Sequence, residues 1–358
     1  MKKKTIILKV IGGLFLLIII SIIGVIVFYN VNLKAVNGNA KDNEVFTIKS
    51  GTPTSTIISS LKEKGLIRNE FVLKIYSKLH PGIPQAGRYI FTTAMSADEI
   101  YNAIINGDVT NDTVWVTFVE GKRLSYIKSQ IASSFGYTEE EVDAVMEDRE
   151  FIKELIDKYD ILTEDILKEG IYHPLEGYLF ADTYEFMSDV SIKEIIEKMV
   201  STLDSKVSVY ESEINNSKLS VHEIMTLASI IELEGARSDD RTGVAGVFYN
   251  RLNAGWSLGS DVTTYYAVGK DFSEDLKMSE LNSCNGYNTR GTCVKGLPIG
   301  PIASPSIESI VAAIEPKTHD YYYFVADKNG KTYFSKTDAE HNSTVNRLKA
   351  EGLWYTYE

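Results

Sequence analysis

Two carboxylates stand two residues apart at the end of an apolar run, Leu227-Ala228-Ser229-Ile230-Ile231-Glu232-Leu233-Glu234, which Gly235 closes. Apolar neighbours desolvate a carboxylate and raise its pKa. That is the condition for a general acid near neutral pH, as cleavage of a glycosidic bond needs. Helix residues two apart do not face the same way. One glutamate is therefore expected to face a cleft, and the other a neighbour such as Arg237, Arg241 or Arg251. The plainer alternative, two solvated glutamates at a helix end, fits the spacing too. Other chemistries lack their residues. There is no phosphate loop, HExxH or GxSxG. The histidines at 80, 173, 222, 319 and 341 do not pair at helical ligand spacing, so no metal and no cofactor is expected. The two cysteines, Cys284 and Cys293, are a disulfide candidate if the chain works outside the cytoplasm. Reduced thiols, or zinc ligands without partners, are the alternatives.

The elements that must position these groups follow from patterning. Ser220-Val221-His222-Glu223 carries a capping-box signal, with Ser220 as N-cap, and starts the helix that ends in the two glutamates. A second helix is expected over 239–253. Residues 321–326 and 331–335 flank Asp327-Lys328-Asn329-Gly330, a hairpin signal, and a last helix spans about 338–351. Upstream, 44–48 alternates as a strand does, with helices over 52–64, 69–79 and 96–106 and a returning strand over 86–91. The strand–glycine–helix opening recurs at 114–118, Glu120-Gly121 and 125–135, so a pair of small α+β modules is expected. Residues 139–168 are helical in composition. Tyr172 to Phe186 reads as a loop rich in aromatic and acidic residues, and 191–203 as a helix.

The glutamate run resembles the LASIVEKE signature of the MltG (YceG-like) endolytic murein transglycosylases. The resemblance continues through Val244 to Leu252, Leu258-Gly259-Ser260-Asp261, Tyr287-Asn288-Thr289, Gly296 to Pro305 and Tyr323 to Asp327. Leu175-Glu176-Gly177-Tyr178-Leu179-Phe180 with Asp182-Thr183-Tyr184 fits as well. The chain departs from the pattern at Leu233, where the family usually has Lys, at Gly259, often Gln, and at Ala181, often Pro. The cysteine pair is not a general family feature. The resemblance implies Glu234 as the catalytic acid, with Glu232 as runner-up in a supporting role. It implies non-hydrolytic cleavage between N-acetylmuramic acid and N-acetylglucosamine, leaving 1,6-anhydro ends. Glu176, Asn250, Asp261 and Asn288 are candidate sugar contacts, because amides and carboxylates pair with sugar hydroxyls; capping or interhelical bonding is the other use of Asn250 and Asp261. Tyr178, Phe180 and Tyr287 are candidates to stack on sugars or to fill a core.

The frame around the site is set by the N-terminus and the charge. Lysines at 2, 3, 4 and 9 precede an uncharged run over 10–29, roughly the 20 residues that span a bilayer as a helix. Lysines on that side put the N-terminus in the cytoplasm and the rest across the cell membrane. A cleaved signal peptide, the competing reading, has a shorter apolar region. The net charge of -12 argues against nucleic acid as a partner, and an uncharged glycan fits better. The expected fold class is α+β. A cytoplasmic tail (1–9), a transmembrane helix (10–29) and a polar linker (30–43) precede a module over 44–110 similar to the family's LysM-like part. A second α+β region with the aromatic loop (111–200) and a mixed helical/β catalytic domain (201–358) follow. A flexible linker of that length reaches about 20 Å, which would keep the glutamate near the membrane, where new strands emerge. The expected partners are peptidoglycan glycan strands, the membrane and peptidoglycan synthases. A wall-binding scaffold without catalysis, and a muramidase that uses water, are the competing functions.

Overall fold

The N-terminal apolar run forms one continuous helix, α1 (Lys2–Leu33), in a computed structural model that describes residues 2–40, 43–110, 113–235 and 238–354. Its stretch Gly12–Leu33 has a mean hydropathy of 2.8 and is long and apolar enough to cross a membrane. The chain divides into two units, Met1–Asp112 and Thr113–Glu358.

In the first unit, β1 (Asn43–Ile48) pairs antiparallel with β2 (Gly87–Thr92), Phe46 opposite Tyr89. Helices α2 (Thr54–Glu63), α3 (Glu70–Leu79) and α4 (Ala97–Asn106) complete it. Alternation along β1 turns Phe46 and Ile48 inward, against Ile57, Ile58 and Leu61 of α2 and Ile100 and Ile104 of α4. The segment expected as a flexible linker is tied down instead. The helix runs on to Leu33, which packs against this core. The Asn37 N–H bonds Thr93 O at 2.8 Å, and Arg68 Nε bonds Ala35 O at 2.8 Å. Free-chain reach therefore does not describe it.

The second unit has one core, and the recurrence of the strand–glycine–helix pattern is not a second small module. Strand β3 (Thr113–Thr117) finds its partner in β4 (Thr183–Met187), inside the stretch expected to be a loop. Side chains there alternate, with Tyr184 and Phe186 buried and Thr183 and Glu185 exposed. Helices α5 (Leu124–Phe135), α6 (Glu139–Met146) and α7 (Arg149–Lys158) precede β4, and α8 (Ile192–Val207) and α9 (Glu211–Asn216) follow it. Val116, Phe118, Leu124 and Ile127 share a core with Met225, Leu227, Ile230 and Ile231 of α10 (Val221–Leu233). These apolar faces cover each other, so residues 111–200 have no core of their own.

Helix α10 is apolar on nearly every side and runs through the middle of this core, packed on α14 (Ile307–Ile314). Around it lie α11 (Ser238–Asn253), α12 (Asp261–Ala267) and α13 (Met278–Leu281). The hairpin β5 (Tyr323–Ala326) and β6 (Thr332–Ser335) and the helix α15 (Asp338–Ala350) close the unit. The capping box at Ser220 starts α10: Ser220 Oγ accepts the Glu223 N–H, and Glu223 accepts the Ser220 N–H at 2.8 Å. Gly177 has φ of 81° and lies so close to Pro301 that a Cβ would meet it at 2.4 Å, so the turn before Tyr178 requires glycine.

Candidate active site

Helix α10 ends at Leu233, with Glu234 as its C-cap and Gly235 in the left-handed region at φ 67°. The helix end sends the two glutamates to different places. Glu232 turns into the protein. Its Oε2 accepts the Ser306 N–H at 3.0 Å, the Ser306 hydroxyl and the Ser309 hydroxyl at 2.8 Å, and its Oε1 accepts from Arg241 at 3.3 Å. It thereby holds the N-terminus of α14. Arg237 lies outside the described residues.

Glu234 faces an open cleft of about 460 Å³. Ser260 Oγ donates to its Oε1 at 2.5 Å. Burial raises the Glu234 carboxyl above the usual carboxylate range, and Asp261 pushes the same way. The Ser260 bond, Arg251 and Arg290 oppose them. The negative end of the helix dipole also disfavours the charged form at this position. A carboxyl so placed keeps a proton to give and, once it has given it, is ready to take one back.

The walls are held by a hydrogen-bonded frame. Arg251 Nε donates to Tyr322 O at 2.8 Å and its Nη1 to Leu258 O, so α11 fixes both the loop before α12 and the approach to β5. Asp261 pairs with Arg290 at 3.1 Å on the rim. Trp256 packs beside Tyr322, ring centres 5.0 Å apart, and remains 44% exposed, giving the cleft a free aromatic face. Tyr323 stacks on His341 at 5.6 Å. Burial holds the His341 imidazole below its ordinary pKa, which keeps it neutral, and its Nδ1 has no hydrogen-bond partner among the described residues. Gly259 leaves the cleft wall open where a side chain would otherwise stand.

Residues 46–347 match the YceG-like family. The chain belongs to the YceG-like family. A Bacillus subtilis relative named endolytic murein transglycosylase is 37% identical over 87% of this chain and 86% of its own length. A Streptococcus pneumoniae relative of the same name is 31% identical over 88% of this chain, which spans 60% of that longer protein. The solved structure of a YceG-like protein from Listeria monocytogenes superposes with a TM-score of 0.61 at 36% identity, covering 85% of this chain and all of its own.

The sugar contacts expected from sequence do not all reach the Glu234 cleft of this YceG-like chain. Asp261 does. Asn288 is fully buried, and its side chain is used up inside the protein. Oδ1 accepts from Thr264 Oγ1 at 2.7 Å and from the Arg290 N–H at 3.0 Å, while Nδ2 donates to Ser283 O at 2.8 Å. Asn250 spends its amide on His319 O at 2.9 Å and Tyr321 O at 2.8 Å, tying α11 to the approach of β5. Tyr178, Phe180 and Tyr287 are core residues. The Tyr178 hydroxyl bonds His222 Nδ1 at 2.7 Å, and Nε2 of the same ring donates to Ile299 O at 2.7 Å. Trp256, Arg290 and His341 were not legible as site residues, because each comes from a loop or helix with no chemical motif of its own. Arg251, Ser260 and Tyr323 fell inside stretches that carried the family resemblance.

Cys284 and Cys293 are bonded, closing a loop with a sequence separation of 9. That loop carries Thr289, which accepts from the Ser260 N–H at 3.1 Å, and Arg290, which holds Asp261. Exchanging both cysteines for serine is expected to lower stability by about 2–3 kcal/mol, from the chain freedom released on unfolding. Turnover persists, because no reacting group is removed. Calorimetry reads the loss. Titration of two free thiols in the native protein would contradict the bond.

Glu176 is only 2% exposed and belongs to a different cleft. Its Oε1 accepts the Leu124 N–H at 2.9 Å and its Oε2 the Tyr266 hydroxyl at 3.2 Å, yet burial still pushes its pKa up to about 7. Between the unfolded carboxylate value and about 7 the folded state holds the extra proton. Stability is therefore greatest on the acid side and falls as pH rises through about 7. Unfolding free energy should drop by about 3 kcal/mol between pH 5 and pH 8.5 from this group. Glu176→Gln should flatten that part of the profile, and an unchanged slope would count against the assignment.

Proposed function

We propose that this chain is a membrane-anchored endolytic peptidoglycan lytic transglycosylase, with α1 as a single-pass anchor, its N-terminus cytoplasmic and the Glu234 cleft outside. The observation that carries the reading is one half-buried carboxyl with a raised pKa, facing a cleft with a free tryptophan face. It stands in a chain that aligns along most of its length with an endolytic murein transglycosylase. The Cys284–Cys293 bond suits an oxidising compartment beyond the membrane.

In this mechanism the Glu234 carboxyl protonates the departing glycosidic oxygen between N-acetylmuramic acid and N-acetylglucosamine as the bond to C1 breaks. The resulting carboxylate then takes the proton from the muramic O6 hydroxyl while that oxygen closes on C1. No water is consumed, and the product carries a 1,6-anhydro end. An ordinary glycosidase needs a second carboxylate for water or covalent attack. Here the nucleophile is already part of the substrate, and proximity replaces it. Trp256 and Tyr323 would hold sugar faces, and Asp261 and Arg290 would bond hydroxyl or acetamido groups. Residues 44–110 are the LysM-like module, and nascent strands and peptidoglycan synthases are the expected partners.

Asp261 puts a second carboxylate in the cleft and so favours, as the alternative, a muramidase that uses water. Mass spectrometry of uncrosslinked glycan digested by the purified chain separates the two. Anhydro ends are expected. Reducing muramic ends would establish the muramidase, and intact strands would leave a binding scaffold.

A further inference from the structure

Helix α12 has a cleft at each of its ends. Its first residue, Asp261, stands in the Glu234 cleft, and its last turn, Tyr266 and Ala267, lines a second one of about 440 Å³. Seven helical residues span about 10 Å. The two clefts are therefore about one short helix apart.

The second cleft is a built site. Its floor is Glu176, fixed by the Leu124 N–H at 2.9 Å and by Tyr266 at 3.2 Å. Arg123 lies 5.5 Å over the Tyr266 ring and spends one N–H on Lys270 O at 2.8 Å, leaving other donors of its fork. Tyr172 packs with one side towards Tyr287, ring centres 4.7 Å apart, and is 43% exposed. His173 completes the lining and bonds Glu147 at 2.9 Å, which raises its pKa. Nothing in the mechanism at Glu234 uses these groups.

Their chemistry selects a ligand class. A carboxyl with a pKa of about 7 donates or accepts a hydrogen bond according to need. An acetamido group offers one donor and one acceptor, and a pyranose offers an apolar face to an exposed aromatic ring. We propose that the Arg123–Tyr172–Glu176 cleft binds an N-acetylated sugar of the glycan strand, away from the bond that is cut, and so favours long strands over short ones. This rests on the glycan reading of the Glu234 cleft, and its test does not depend on cleavage.

The test is binding of peptide-free glycan strands, long and tetrasaccharide, to the full chain in detergent, with Glu234→Gln to prevent turnover. Adding Tyr172→Ala is expected to weaken long-strand binding about tenfold and to remove the preference for long strands. Tyr172→Phe keeps the ring and should keep the affinity, whereas a role through the hydroxyl, which bonds Ala267 O at 3.3 Å, would lose it. Equal weakening by Phe and Ala, no weakening by Ala, or a length preference seen only with peptide-bearing strands would each overturn the proposal. Failure of the glycan reading itself would show differently, as no binding of any strand before Tyr172 is changed.

Discussion

Glu234→Gln is expected to lower strand cleavage by at least about 10³-fold while leaving the fold in place. A positioned general acid or base contributes typically 10²–10⁴-fold, and in the proposed mechanism one carboxyl serves in both roles, so its loss is expected at the upper end. The amide has the same shape, and its carbonyl can still accept from Ser260, which bonds the native carboxyl at 2.5 Å. Neither the cap of α10 nor the arginines of the cleft are touched, so the melting temperature should stay within a few degrees. The raised pKa of Glu234 also sets a sign: the wild-type rate should fall as pH rises through that pKa, because the proton to be donated is then lost. Turnover of uncrosslinked glycan, read as anhydro ends, checks both statements. Full activity of Glu234→Gln would move the chemistry elsewhere in the cleft.

Glu232→Ala is expected to act in the opposite way, costing the fold first. The Glu232 side chain is only 9% exposed and its partner Arg241 17%. Removing the carboxylate leaves Arg241 with only Ser306 Oγ and the more exposed Glu308, leaves the Ser306 N–H and two serine hydroxyls without their acceptor, and unpins the N-terminus of α14 from α10. Breaking a buried ion pair from one side costs roughly 3–5 kcal/mol. For a unit of this size, about 3 kcal/mol corresponds to a fall in melting temperature of roughly 6–12 °C. Calorimetry of the detergent-solubilised chain reads it. Glu232→Gln, which keeps one acceptor oxygen, should lie between. If Glu232→Ala instead melted like the wild type and cleaved nothing, Glu232 rather than Glu234 would be the catalytic group.

The contrast between these two residues shows how far the sequence reached. Their types and spacing dictate that they point apart, since a helix turns about 100° per residue. Which of them meets a cleft depends on Ser306, Ser309 and Arg241, the first two lying more than 70 residues away along the chain. The family motifs marked the region of the site, but within it they did not separate contact from support. Asn288 and Asp261 both stand in matching stretches, and only Asp261 lines the cleft. An amide that organises a loop and one that binds a sugar use the same hydrogen bonds, so residue type cannot tell them apart.

By itself the sequence determined what is local. The apolar run that becomes α1, the capping box of α10, the hairpin at Asp327–Gly330 and the glutamate pair at a helix end all follow from patterns a few residues long. Tertiary structure decided what depends on distant partners. It took β4 out of an apparent loop by pairing it with β3 and merged two expected regions into one core. It also tied the linker onto the first unit and put two of the candidate contacts, Asp261 and Glu176, in separate clefts at the ends of α12. The physical reason is common to all of these. Strand pairing, burial and the capture of a buried carboxyl by a hydroxyl are set by which surfaces meet after folding, and no short window of sequence contains both surfaces.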